Sequence, residues 1–165
     1  MHPEQSSNGP HDHSASQNPR NFQALSDLSL DNFEVDILHI ARLFFVAFHL
    51  PQTCAWVHAF QCAENRFTAP LGSSLAKSVL DIVNVTRSLR RSGFGYCDPR
   101  CEGCQRFVTK EESYFMNVIH HIRRGDLAKA RMQSMLLCEG ADDTELLNCV
   151  SRLAGHLCTP SVACH

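Results

Sequence analysis

Three cysteines, Cys97, Cys101 and Cys104, fall within eight positions of the stretch "GYCDPRCEGCQRF", residues 95–107. Closely spaced thiolates are soft ligands that suit zinc, which in structural sites takes four donors in a tetrahedron. Two residues between Cys101 and Cys104 let a tight turn aim both sulfurs at one point. Gly103 eases that turn, because it has no Cβ to clash at positive φ. Cys97 stands four positions before Cys101, and Pro99 stiffens the link between them. Three thiolates leave a tetrahedral ion one donor short.

The segment that follows supplies a candidate for the fourth. Thr109 with Glu112 has the reciprocal pattern of a capping box and opens a helix to about Arg124. Gly125 ends it and Asp126 caps a second helix running to about Glu139. The first climbs roughly 22 Å and the second descends roughly 20 Å at 1.5 Å per residue. Helices joined by so short a link are antiparallel neighbours. Cys138 is thereby expected back at the level of Cys104, giving a site of Cys97, Cys101, Cys104 and Cys138 for Zn2+. A [4Fe–4S] cluster is the alternative occupant of the same thiolates. The helix dipole disfavours a thiolate at the C-terminal position of Cys138, which the charge of the metal would offset. His120 and His121 are rival donors by type, but sit roughly 15 Å along the helix from its start. They read instead as a polar border beside the apolar stripe of Phe115, Val118, Ile119 and Ile122, near a carboxylate.

Five arginines, Arg87, Arg90, Arg91, Arg100 and Arg106, surround the cysteine stretch against only Asp98 and Glu102. They would compensate the negative charge of a four-thiolate zinc, or form an anion-binding surface for RNA, DNA or an acidic protein. Phe94, Tyr96 and Phe107 are interleaved with them, placed to shield a metal or to stack on bases. Cys54, Cys62 and Cys149 lie in helical patterns and read as small core hydrophobes. His58 and Cys62 share a helix face at i and i+4, without an identifiable third group to activate a nucleophile. Glycine-rich phosphate loops, H-E-x-x-H and persuasive carboxylate pairs are missing from the sequence. The spacing C-x3-C-x2-C is similar to that of radical S-adenosylmethionine enzymes. Their β/α barrel needs repeated strands and typically more than 200 residues, so no family follows from it.

The elements that must position these residues are helical throughout. Asp31 with Glu34 is a capping box for a first helix that ends before Pro51. A second helix follows from there. Pro70 and Gly72 are expected to break the chain before a third helix, "SLAKSVLDIVNVTRSLRR", which stops near Gly93. After the two helices already described, Asp142 or Asp143 caps a last one running to about His156. The pattern predicts an all-α, single-domain bundle of about six helices without strands, its Cys-rich loop (93–108) between the third and fourth. Residues 1–30, rich in Ser, Asn, Pro, Gly and His, are expected to form a disordered tail. Residues 31–158 form the domain, and 159–165 a flexible end. His2, His11 and His13, and the terminal Cys158, Cys164 and His165, are assigned to these tails.

Bulk properties fit that outline. The 165 residues are 44% hydrophobic and 19% charged, with a formal net charge of -2 that attracts neither nucleic acid nor anionic membrane as a whole. The most apolar stretch, Ile37 to Leu50, contains Arg42 and is shorter than the ~20 residues a membrane span requires. The N-terminal residues lack the basic-then-apolar run of a secretory signal. Nine cysteines are then expected as reduced thiols in the cytoplasm. The functional expectation is a small, non-catalytic, metal-binding helical protein whose thiolate site structures an interaction or regulatory surface, with another protein as partner. A redox or metal sensor and a nucleic-acid-binding module are the alternatives.

Overall fold

The apolar stretch that is too short to span a membrane becomes the central helix of a bundle. The computed structural model describes residues 22–156, and within them α1 comprises Asn32–His49. Its start is fixed by the expected capping box: the Glu34 amide donates to Asp31 Oδ1 (2.9 Å) and the Asp31 amide to Glu34 Oε2 (3.0 Å). Ile37, Ile40, Phe44 and Phe45 are buried along it, each worth about 1.5–3 kcal/mol relative to exposure. Pro51 ends it, since proline cannot supply the N–H needed to extend the ladder. Residues Pro51–Thr53 make one 3₁₀ turn, and Cys54 enters the next helix in the left-handed region at φ 50°.

Helix α2 (Ala55–Arg66) turns Ala55, Ala59 and Ala63 inward, a stripe of small residues at four-residue spacing. Helix α3 (Ala69–Leu89) packs across it. The break expected at Pro70 and Gly72 does not occur, because both residues lie inside α3. Pro70 occupies its first turn, where no intrahelical N–H is required. Gly72 is buried against α2: a Cβ there would stand 2.6 Å from the Ala63 carbonyl oxygen and 2.7 Å from Glu64 Cα. Gly72 therefore sets how closely two helices approach, and does not punctuate the chain.

Helices α4 (Lys110–Arg123) and α5 (Leu127–Leu137) form the expected antiparallel hairpin. Gly125 takes φ +75° in the link, and Asp126 Oδ1 accepts from the Lys129 amide (3.2 Å). Helix α6 (Thr144–Gly155) has Asp143 at its N-cap without a side-chain cap bond, while Asp142 Oδ1 accepts from the amide and hydroxyl of Thr144 (3.0 and 2.7 Å). The all-α expectation holds, with six α-helices among the described residues. None of them is long and apolar enough to cross a membrane.

Two expectations are corrected. A short antiparallel pair joins β1 (Phe22–Ala24) to β2 (Phe107–Thr109), with Phe22 opposite Thr109. Residues 22–30 accordingly belong to the fold, and Leu25, Leu28 and Leu30 pack against its core. Three-residue strands are too brief to register as an alternating pattern. Residues 1–21 and 157–165, with the tail assignments made for them, lie outside the described residues.

Helices α1 and α4 lie antiparallel and are joined at two points. At one end Glu34, fully buried, meets His120 Nδ1 (3.1 Å), Arg123 Nη1 (2.5 Å) and Arg124 Nη1 (2.8 Å). Burial acts to raise the pKa of Glu34, but hydrogen bonds from the Asp31 amide, His120 and the two guanidiniums outweigh it and hold the carboxyl below its ordinary value. His120 thus stands beside a carboxylate, as expected. The second joint pairs Arg42, midway along α1, with Glu112 in the first turn of α4 (2.6 Å).

Gly72→Ala should destabilise the protein by about 1–3 kcal/mol in urea unfolding, as overpacking does. The opposite sign, a gain of up to about 1 kcal/mol, is what helix propensity alone would give.

Candidate functional site

The cysteine loop hangs from a buried ion pair. Arg42 of α1 and Glu112 of α4 are 3% and 1% exposed and bond through two parallel contacts, Nε to Oε1 (2.6 Å) and Nη2 to Oε2 (3.0 Å). Glu112 is the N3 residue of the capping box at Thr109, so its Oε2 also accepts from the Thr109 amide (2.9 Å). Its Oε1 accepts from the Cys97 amide (3.1 Å). Arg42 Nη2 donates onward to the Phe107 carbonyl (2.5 Å). The Thr109 hydroxyl donates to the Gly95 carbonyl (2.8 Å). One carboxylate therefore starts α4, neutralises a core arginine and fixes both roots of the loop.

Cys97 sits at that anchor, buried, with its thiol directed to Glu112. Burial, reinforced by the neighbouring Glu112 charge, pushes its pKa up to about 12. It is held as a neutral thiol. Beyond it the chain turns on Asp98, whose Oδ1 accepts from the Arg100 amide (2.9 Å) while Oδ2 takes Arg100 Nη2 (2.8 Å). Gln105 Nε2 donates to the Pro99 carbonyl (2.6 Å) and closes the turn from the other side.

Cys101 and Cys104 occupy the tip and are joined as a disulfide, their Cα atoms 5.2 Å apart. The turn expected between them is present, with the Cys104 amide donating to the Cys101 carbonyl (3.0 Å) and also directed at Cys101 Sγ (3.3 Å). Cys101 is exposed and Cys104 half-buried. The expected free thiolates are here a bonded pair, within a loop of four residues.

Cys138 is elsewhere. The hairpin does return it to the level of the start of α4: Arg90 reaches both the Leu137 carbonyl (2.5 Å) and Glu111 Oε1 (4.0 Å). Its buried thiol, however, lies against Ser134, with Asp143, Arg90 and Glu139 around it, and burial raises its pKa. The four cysteines are thus not gathered at one point. Among the described residues no group of three or more His, Cys, Asp or Glu side chains is placed to hold a metal ion.

The arginines divide by role. Arg90 is inside, bonded to Leu137 and Gly93 carbonyls and paired with Glu139 (3.2 Å). Arg87 lies over the Phe48 ring (3.8 Å), and Arg100 is taken by Asp98. Arg91 and Arg106 are exposed, as are Arg87 and Arg100, but unlike Arg100 neither makes an ion pair among the described residues. Phe94 has entered the core, stacked on Phe45 with centroids 4.0 Å apart. Tyr96 is half-buried, and Phe107 is exposed. Of the cysteines expected in the core, Cys149 is buried and Cys62 intermediate, whereas Cys54 is exposed at its left-handed cap. Cys62 Sγ accepts from Arg66 Nε (3.2 Å), and Arg66 pairs with Asp36.

Beside the loop lies a cavity of about 740 Å³, whose lining includes Phe22, Leu50, Phe94, Tyr96 and Phe107 together with Cys104. That volume is within the range of small-molecule sites, about 300–1,000 Å³. The anchor and the cavity were both missed in the sequence. An arginine inside an apolar helix was the available signal, because a buried guanidinium requires a buried carboxylate. Comparison with protein-family models, curated proteins and solved structures finds no match for this chain.

Two outcomes follow from the anchor and its neighbourhood. Arg42→Met should cost about 3–5 kcal/mol in chemical denaturation, because it strands Glu112 as a buried unpaired charge. Faster hydrogen exchange at the Cys97 and Thr109 amides should accompany it. Glu139 is held at a pKa of about 2, chiefly by the Ser92 hydroxyl, then by the Arg91 and Ser92 amides. A carboxyl depressed on folding contributes stability above its unfolded value, and that contribution is lost as pH falls through the folded one. Glu139→Gln should therefore lower the melting temperature at pH 7, with the deficit closing between pH 4.5 and about 2.

Proposed function

We propose that the chain is a small, non-catalytic helical module whose loop, residues 95–107, is an interaction surface for another protein. In this reading Cys101 and Cys104 switch that surface between a disulfide and a dithiol. The observation that carries it is the contrast within one loop. The root is clamped by Arg42 and Glu112, while the paired sulfurs sit at the accessible tip. A change of bonding at the tip can reshape the surface without disturbing the core beneath it. Opening requires two electrons and two protons, supplied by an external dithiol that becomes a disulfide in the exchange. Cys97 stays out of that chemistry, because a neutral buried thiol is a poor nucleophile.

A second reading keeps Zn2+ on the reduced pair. Its support is the Cys104 amide directed at Cys101 Sγ, a donor of the kind that stabilises a thiolate. Two thiolates are half a tetrahedral set, so this reading requires further donors from a partner or a second copy.

Thiol counting on the full chain tests the proposal. Treatment with dithiothreitol should raise the alkylatable thiols by two relative to a diamide-treated sample, and Cys101→Ser or Cys104→Ser should abolish the difference. Peptide mass spectrometry should show Cys97 protected in both states. An equal thiol count in both samples would refute the switch. Elemental analysis of the anaerobically reduced protein assesses the second reading, which requires stoichiometric zinc that Cys101→Ser removes.

A further inference from the structure

A dithiol that closes to a disulfide must hand two electrons to an acceptor, and the cavity beside Cys104 has the lining to hold one. We infer that the cavity is a binding site for a quinone, an uncharged planar two-electron acceptor, which oxidises the Cys101–Cys104 dithiol. This inference rests on the disulfide–dithiol reading given above.

Three observations select that ligand class. First, the wall of the cavity belongs to a run of near-parallel rings. Phe94 stacks on Phe45 at 8°, Tyr96 lies at 18° to Phe45, and His49 at 26° to Tyr96 with centroids 5.3 Å apart. A planar guest between this wall and Phe107 on the rim continues the series, and offset stacking is the geometry aromatic planes prefer. Second, the charged residues on the lining, Asp98 and Arg100, are paired with one another (2.8 Å). The site thus presents no unmatched charge to an ionic cofactor, and its walls are mainly apolar. Third, a quinone gains protons at its oxygens as it is reduced, and Tyr96, a residue of the lining, carries a phenol able to hydrogen-bond one of them. Burial first, then the Asp98 charge, raises the Tyr96 pKa, so the phenol remains a donor.

The reaction balances without other reagents. Two thiols lose two protons and two electrons and form the S–S bond. The quinone takes both pairs, its two carbonyls becoming the hydroxyls of a hydroquinone. A small peroxide would need no cavity at all. Cys97, although it also lines the cavity, is committed to Glu112 and does not compete.

The test uses the full chain, reduced and desalted under anaerobic conditions, with tetramethyl-1,4-benzoquinone as probe. Its ring has no open position, so stable thioether adducts do not form. The expected result is loss of two thiols per hydroquinone produced, with a rate that saturates in quinone concentration. Phe107→Ala should raise the half-saturation about fivefold, the magnitude of one stacking contact. Tyr96→Phe should slow the saturated rate, the step in which the quinone oxygens gain their protons. Each rate is normalised to closure by diamide in the same variant, which removes effects on the loop itself. A decyl-tailed benzoquinone distinguishes sources: tighter saturation than the tailless probe assigns a membrane quinone, equal saturation a soluble one. A linear, non-saturating rate with the same diamide ratio in all variants would overturn the inference and leave the switch standing. Failure of both oxidants to close the pair would overturn both.

Discussion

The ion pair between Arg42 and Glu112 is the constraint on which the cysteine loop and its junction with the helices depend. Removing two charges from water costs several kcal/mol per ion. The pair is tolerated because the carboxylate is fully used: two contacts go to the guanidinium and one each to the amides of Cys97 and Thr109. Those amides would otherwise be buried without partners. The interaction is thus a requirement of burying a loop root against helices, and its strength resides in the hydrogen bonds it organises.

From this anchor the three cysteines of the loop acquire different chemistry despite their proximity. Cys97 shares the dry, anionic surroundings of Glu112, where a thiolate is penalised by burial and by charge. Cys101 and Cys104 lie only a few residues further on, but the chain has turned outward by then, on Asp98 and Pro99. Spacing predicted a common fate for the three. Environment separates them.

Much of the fold was legible because its signals are local. Both capping boxes, the stop at Pro51, the glycine between α4 and α5 and the antiparallel return of α5 follow from a few adjacent residues each. What failed was either non-local or rotational. Rise per residue gave the height of Cys138 correctly, but it says nothing of facing, which changes by about 100° at every residue of a 3.6-residue turn. The side chain lies against Ser134 and joins no group of three or more metal-ligating side chains among the described residues. Gly72 looked like punctuation, since nothing nearby in sequence announces that Ala63 will press against it. The pairing of Phe22 with Thr109 spans most of the chain and leaves no pattern in either segment. Glu112 was recognised as a cap, and its second role depended on an arginine seventy positions earlier.

The two contacts between α1 and α4 share a measure. Eight residues separate Glu34 from Arg42, and eight separate Glu112 from His120. On each helix that is a distance of about 12 Å, so the helices meet like two rulers pinned at matching marks, with the carboxylate on α1 at one pin and on α4 at the other. Axial slip by one turn, about 5.4 Å, would unseat both pins at once and leave two carboxylates and a guanidinium stranded in the interior. The pair therefore behaves as a fixed baseline, and any rearrangement triggered at the loop must be absorbed by the loop and its cavity wall, without sliding of the helices beneath.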